Sequence, residues 1–236
     1  MRPVHLRDLT NGSGEAYGEA GRTSGDPERR LLLAMTADKG VPKVLMYLAE
    51  GFEDLEAVSI LDVFGWTEYR EHIPKVRVVT TGIRPEVKGR FGRQIRPDLL
   101  LKDVRPGDFA ALAIPGGFFS AGYGEAFDPL LYEIARSIHG AGGTIATMCV
   151  GILPVAEAGL LRGKSATTYF LSRNHNHAER LRALGCTPTQ GPIEVCDRII
   201  SCSGPAQSVD VALLLLESLI GPEAGREVRR FMAGME

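Results

Sequence analysis

The amino-acid sequence predicts an α/β fold: a doubly wound, mostly parallel sheet with helices on both faces. Three observations carry that prediction. Short, nearly continuous apolar runs, Lys43–Ala49, Ala110–Ile114 and Thr144–Cys149, have the pattern of strands buried on both faces. Longer segments of helical character alternate with them. The runs end in turns at Glu50-Gly51, at Pro115-Gly116-Gly117 and at Cys149, ahead of Gly151. In such sheets a ligand binds outside the carboxyl ends of the strands. Those three turns therefore share one rim.

Residues 1–40 are rich in Gly, Glu, Arg and Asp and lack apolar periodicity. They bury too little surface to offset chain entropy, so a disordered tail is expected. Met35 stands just ahead of the first strand, and a translation start there is expected to be decided by the intact mass of the native protein. Residues 41–236 are expected to form a single domain.

Lys43–Ala49 reads as a central strand, and a helix is expected from Glu53 to Glu71. Glu53, Asp54 and Glu56 lie in its first turn, where the helix dipole favours negative charge. Glu56 precedes Ile60 and Val63 by four and seven positions, which aligns it with buried residues. A first-turn acid facing water fits the pattern equally well.

Val76–Thr80 is the second strand, and Pro85–Ile95, with Gly89 and Gly92, reads as a β-hairpin. The paired glycines after Ala110–Ile114 permit unusual backbone angles and expose N–H groups to a ligand, or form a plain tight turn. Asp128-Pro129 opens a helix reaching Ala141. The strand Thr144–Cys149 leads into a helix that closes at Leu160-Leu161-Arg162-Gly163. A strand over Lys164–Tyr169, a helix over Asn174–Leu184 and strands at Ile193–Val195 and Ile199–Ser201 follow. Two helices, Val209–Ile220 and Glu223–Met232, complete the chain.

The 27 basic and 29 acidic residues nearly cancel, so no nucleic acid or anionic membrane is indicated as partner. No apolar run is long enough to cross a bilayer. Arg29-Arg30-Leu31-Leu32-Leu33-Ala34 has a signal-peptide flavour, but its apolar core is too short and lies too far into the chain. A cytoplasmic location is expected.

The cysteines are Cys149, Cys186, Cys196 and Cys202, with no Cys-x-x-Cys pair, which argues against a zinc or dithiol site. Free thiols are expected, the last three of them structural. Cys149 stands at a strand-to-helix turn, clear of its neighbours, with the free N–H groups of the helix pointing back at it. That field favours the nucleophilic thiolate. A buried core cysteine fits the same turn pattern.

Four stretches, Glu50–Ala57, Ile114–Gly117, Ile145–Gly151 and Ser203–Ala206, resemble in order and spacing the ThiJ/PfpI family of the class I glutamine amidotransferase-like superfamily. The resemblance runs from about Lys43 to Phe231. It implies a flavodoxin-like fold, with Cys149 as elbow nucleophile and Glu56 as the carboxyl that hydrogen-bonds its sulfur. It also implies an anion or substrate pocket built from Gly116, Gly117, Val150 and Tyr169.

Two positions depart from the family pattern. Tyr169 follows Thr167-Thr168 where deglycase-like members carry histidine, and Val150 follows the cysteine where PfpI-type proteases carry histidine. Tyr169 can donate a hydrogen bond to a substrate oxygen but is a poor base near neutral pH. His175 and His177 are expected as surface residues of a helix start, with a swing towards the site as the alternative.

The implied activity is glyoxalase- or deglycase-like, on small reactive carbonyls, with no metal or other cofactor, in a homodimer. The alternative is a non-enzymatic redox sensor or stress chaperone using the same cysteine. Amidotransferase-, hydratase- or protease-like hydrolysis is a third reading.

Overall fold

The structure, a computed structural model, describes residues 40–234. The expected disordered tail, save Gly40, and the alternative start at Met35 lie outside those residues.

In chain order the elements are β1 (Lys43–Tyr47), α1 (Asp54–Gly65), β2 (Arg77–Gly82), β3 (Val87–Lys88), β4 (Gln94–Ile95), β5 (Leu99–Leu100) and β6 (Ala111–Ile114). They continue with α2 (Pro129–Gly140), β7 (Thr144–Met148), α3 (Ile152–Glu157), β8 (Ser165–Ala166), α4 (His177–Ala183) and β9 (Thr187–Pro188). The last are β10 (Ile193–Cys196), β11 (Ile199–Cys202), α5 (Ser208–Ile220) and α6 (Pro222–Met232).

The main sheet has the order β10-β11-β7-β6-β1-β2-β5. Every neighbouring pair in it is parallel except β10 with β11. From β1 the chain moves outwards to β2 and β5, then returns to the other side of β1 at β6. That reversal opens a crevice between the carboxyl ends of β1 and β6, the place where doubly wound sheets bind ligands.

Alternate residues of β1 serve two cores. Leu45 and Tyr47, with Leu112 and Ile145, pack against Ile134 of α2, Leu153 of α3 and Leu181 of α4. Val44 and Met46, with Ala113, pack against Ile60 of α1, Val211 of α5 and Val228 of α6. Each large apolar side chain buried this way contributes about 1.5–3 kcal/mol. Burial on both faces is why β1 reads as one continuous apolar run. Among the described residues no helix is long and apolar enough to cross a membrane.

Several expected elements are shorter than their sequence patterns, and for three of them the contacts show why. Helix α1 ends at Gly65 and passes into a 3₁₀ turn, Trp66–Tyr69. Lys75 Nζ donates to the carbonyls of Thr67 (2.6 Å) and Arg70 (2.7 Å) there, where continued helix would have reached Glu71. The strand expected over Lys164–Tyr169 shrinks to β8, because Thr167 and Thr168 are held by side-chain bonds beyond it. Helix α4 starts at His177, since the Asn176 side chain caps it by accepting from the Glu179 N–H at 3.0 Å. The β3–β4 hairpin forms as expected.

Candidate active site

Cys149 follows β7 directly, in the left-handed region at φ 53°. A non-glycine residue there is strained and is held by its surroundings. Thr168, fully buried, donates its hydroxyl to the Cys149 carbonyl at 3.1 Å. The Cys149 amide faces the buried thiol of Cys202, whose strand pairs with β7 in the register Cys202 to Met148. Gly151 lies so close to the end of β6 that any side chain would strike the Ile114 carbonyl oxygen. The elbow is thus wedged between β6 and β11. All four cysteines are free thiols, and Cys149 is half-buried.

Glu56 reaches the elbow from α1, and its side chain is completely buried. Its Oε2 accepts a 2.6 Å hydrogen bond from the Gly116 N–H. Its Oε1 has no partner among the described residues. Glu53, the N-cap of α1, accepts from the Glu56 N–H at 2.8 Å and so fixes the start of the helix. Gly116 is the joint: a methyl group there would sit 2.8 Å from Cys149 Cβ and 3.0 Å from Glu56 Oε2. Only a glycine lets the acid and the elbow approach one another.

Burial pushes the Glu56 carboxyl up to about 8, against the lowering pull of the Gly116 N–H, and the Glu53 charge adds to the rise. Glu56 therefore keeps its proton at neutral pH, on a buried oxygen. Burial also pushes the Cys149 thiol well up; an ionised Glu56 pushes it further, while the Val150 N–H pulls it down. This corrects the expectation of a thiolate favoured by amide dipoles. The helix behind Cys149 is one 3₁₀ turn followed by the six-residue α3, and the Val150 N–H at its start does not offset desolvation of the sulfur.

The Gly116 N–H, one of the expected pocket donors, is committed to Glu56 instead. Gly117 is held by an antiparallel bridge to Phe52. The bridge runs through Glu53 N–H to Gly116 O and Phe118 N–H to Gly51 O, both 2.9 Å, and leaves the Gly117 N–H out of the pairing. A side chain at Gly117 would collide with the ring of Tyr123, whose hydroxyl donates to Pro115 O at 2.6 Å. The loop is therefore fixed from beneath.

Cys149, Val150, Gly117 and Tyr169 line one cleft of about 380 Å³. Glu53, His175 and His177 line it too. The two histidines were expected at the surface. His175 is exposed but forms part of the cleft wall, and His177 is buried. Both imidazoles flanking the Asn176 cap lie against Phe119, His175 tilted at a centroid distance of 5.2 Å and His177 stacked at 6.0 Å. Burial, helped by His175 and Arg180, pushes His177 down to about 4, so it is uncharged at neutral pH. Glu53 and the phenylalanines of the cleft are absent from the sequence reading of the site. Their signals were present: a Glu three residues before Glu56 in capping position, and Phe118-Phe119 directly after the paired glycines.

The model of the DJ-1/PfpI family matches residues 42–218. DJ-1 homolog B of Arabidopsis thaliana is 27% identical over 200 residues, covering 85% of this chain but 43% of that protein. The chain thus spans less than half the length of that relative. A glutathione-independent glyoxalase of Caenorhabditis elegans is 28% identical over 58% of this chain and 69% of its own length. A deglycase of Pyrococcus abyssi is 30% identical over 54% of this chain and 72% of its own. The crystal structure of Drosophila melanogaster DJ-1beta superposes with a TM-score of 0.69 at 25% identity, covering 82% of this chain and 98% of that one. A family match across three-quarters of the chain, joined to the parallel sheet and its switch-point elbow, means that this chain belongs to the DJ-1/PfpI family.

Proposed function

We propose that the chain is a cysteine-dependent enzyme that converts small α-oxoaldehydes to α-hydroxy acids. The observation that carries this reading is the buried, proton-holding Glu56 beside the strained Cys149 elbow. The glyoxalase and deglycase named among the relatives support it.

The pair first loses the Glu56 proton, and in the reactive state the Cys149 proton has passed to that carboxylate, leaving a sulfur anion beside a neutral carboxyl. The sulfur bonds to the aldehyde carbon, and the carbonyl electron pair moves to oxygen. The N–H groups of Gly117 and Val150 support that oxyanion. Glu56 protonates it to give a hemithioacetal, then as carboxylate removes the hydrogen from the same carbon. That hydrogen is returned to the neighbouring carbon, and the hydroxyl proton passes to the neighbouring oxygen, so a hydroxy thioester results. The first carbon is oxidised and the second reduced. Water then displaces sulfur and releases the hydroxy acid. Tyr169 and His175 share the cleft and can serve the second carbonyl oxygen.

A homodimer belongs to this reading. The outer side of α1 exposes Leu55, Val58 and Leu61 at helical spacing, and light scattering measures the assembly directly. Redox sensing through Cys149 is the weaker reading, because the activities named among the relatives are those of a glyoxalase and a deglycase.

The test is lactate formation from methylglyoxal by the wild type and by Cys149→Ala. Complete loss in the variant is the expected result. Equal activity removes Cys149 from the mechanism.

A further inference from the structure

The cleft is built largely of rings. Phe91, Phe118, Phe119, Tyr169, His175 and His177 all line it around Cys149. Its volume of about 380 Å³ falls in the range that accommodates drug-sized ligands, roughly 300–1,000 Å³, and far exceeds what a three-carbon oxoaldehyde fills.

The rings form two ordered groups. Phe91 and Phe118 meet edge to face at 5.6 Å, and Arg90 lies over both, 6.0 and 5.8 Å from their centroids. Phe119 stacks with His177, and the two imidazoles stack on each other at 5.7 Å. The first group is anchored through its backbone. The hairpin tip carrying Phe91 is bound by the Asp54 carboxylate, which accepts from the N–H groups of Phe91 (2.9 Å) and Arg93 (2.8 Å). Asp54 begins the helix that carries Glu56, so the position of Phe91 is tied to that of the acid.

Phe91 is nonetheless 67% exposed and Phe118 37% exposed. Two large rings beside a nucleophile, carried on backbone pinned by hydrogen bonds and with much of their surface facing solvent, offer a surface for a flat apolar group. Aromatic pairs gain from edge-to-face and offset stacking beyond the area that they cover. Ordering such rings in advance lowers the cost of binding.

We propose that the substrate of this site is an aryl-substituted α-oxoaldehyde, with its ring against the Phe91–Phe118 lip and the Phe119 wall and its aldehyde carbon at Cys149. The inference rests on the oxoaldehyde reading above. The reaction is unchanged: aryl oxoaldehyde plus water gives the aryl hydroxy acid, with the ring-bearing carbon reduced and the aldehyde carbon oxidised.

The experiment compares phenylglyoxal with methylglyoxal in the full chain, and separately measures binding of the unreactive aryl ketone acetophenone by NMR. The wild type is expected to prefer phenylglyoxal in kcat/KM by about tenfold or more. Phe91→Ala and Phe118→Leu should each reduce that preference several-fold and weaken acetophenone binding at the cleft. Equal efficiency on the two oxoaldehydes, or a preference that neither variant moves, overturns the aryl site. Failure of acetophenone to perturb cleft resonances overturns it as well. If the wild type turns over neither oxoaldehyde while acetophenone binds the cleft and the variants weaken it, the ring site stands and the oxoaldehyde chemistry falls.

Discussion

The Gly116 amide donates a 2.6 Å hydrogen bond to Oε2 of Glu56, inside a site where Oε1 of the same carboxyl has no partner. One oxygen is pinned to the loop after β6, and the other is free to carry a proton beside the elbow. That asymmetry is the basis for the stability and pH behaviour expected of the protein.

Glu56→Gln retains an acceptor for Gly116 and removes the titration. The Glu56 carboxyl lies at about 8 in the folded protein against an ordinary 4.5. Below 4.5 both folded and unfolded chains hold the proton. Between 4.5 and about 8 only the folded chain holds it, so wild-type stability falls as pH rises, and above about 8 the loss is complete. The loss is at most on the order of a few kcal/mol. The Tm advantage of Glu56→Gln over wild type should therefore grow across that window, reaching roughly 5 °C or more at its upper end. Thermal melts at several pH values check this; parallel curves for the two proteins contradict it.

Activity should move in the opposite direction with pH. The reactive state appears when the Glu56–Cys149 pair loses its first proton, so kcat/KM should rise about tenfold per pH unit below the first apparent pKa of the pair and then level off. A profile flat from about pH 6 to about pH 9 contradicts this. Glu56→Gln should lower kcat by about 10²–10⁴ at every pH, since no other group is proposed to move the carbon-bound hydrogen.

Gly151→Ala tests the wedge under the elbow. Its methyl group would strike the Ile114 carbonyl oxygen, a backbone atom in a buried strand that cannot swing aside. A loss of about 1–3 kcal/mol is expected from such overpacking, with a fall of several degrees in Tm. Gly65→Ala, where nothing lies within 4 Å of the new methyl, is the control and should be neutral or stabilising by about 0.5–1 kcal/mol. Equal effects of the two substitutions would show that Gly151 is not a packing requirement.

Tyr169→Phe and His175→Gln separate the two residues that can stand in for the missing family histidine. An imidazole can give a proton from one nitrogen and take one at the other, whereas a phenol is a poor base near neutral pH. His175→Gln should lower kcat on the order of 10², and Tyr169→Phe about tenfold or less. The reverse ranking would assign the role to Tyr169.

Much of the fold is legible in the sequence because burial on both faces leaves continuous apolar runs, as in β1 and β6. The turn after β7 and the register of Glu56 with Ile60 and Val63 leave a core cysteine and a water-facing acid equally open, and it is the family resemblance that singles out Cys149 and Glu56. What could not be read depends on neighbours distant in sequence. The proton affinity of Cys149 is set by how the core closes around it, which overrides the local amide dipoles. The commitment of the Gly116 amide to Glu56 spans sixty residues. The burial of His177, beside the Asn176 cap and against the ring of Phe119, leaves no periodic trace. Phe91 joins the cleft only because Asp54 ties the hairpin tip to α1.

The most direct measurement is the rate of alkylation of Cys149 by iodoacetamide as a function of pH, followed at that residue by mass spectrometry, in wild type and Glu56→Gln. The wild-type rate should titrate above the range of an ordinary thiol, because burial and the Glu56 charge both oppose the thiolate, and Glu56→Gln should shift the curve to lower pH. Identical curves with ordinary thiol acidity in both proteins would contradict the coupled acid–thiol pair on which the account depends.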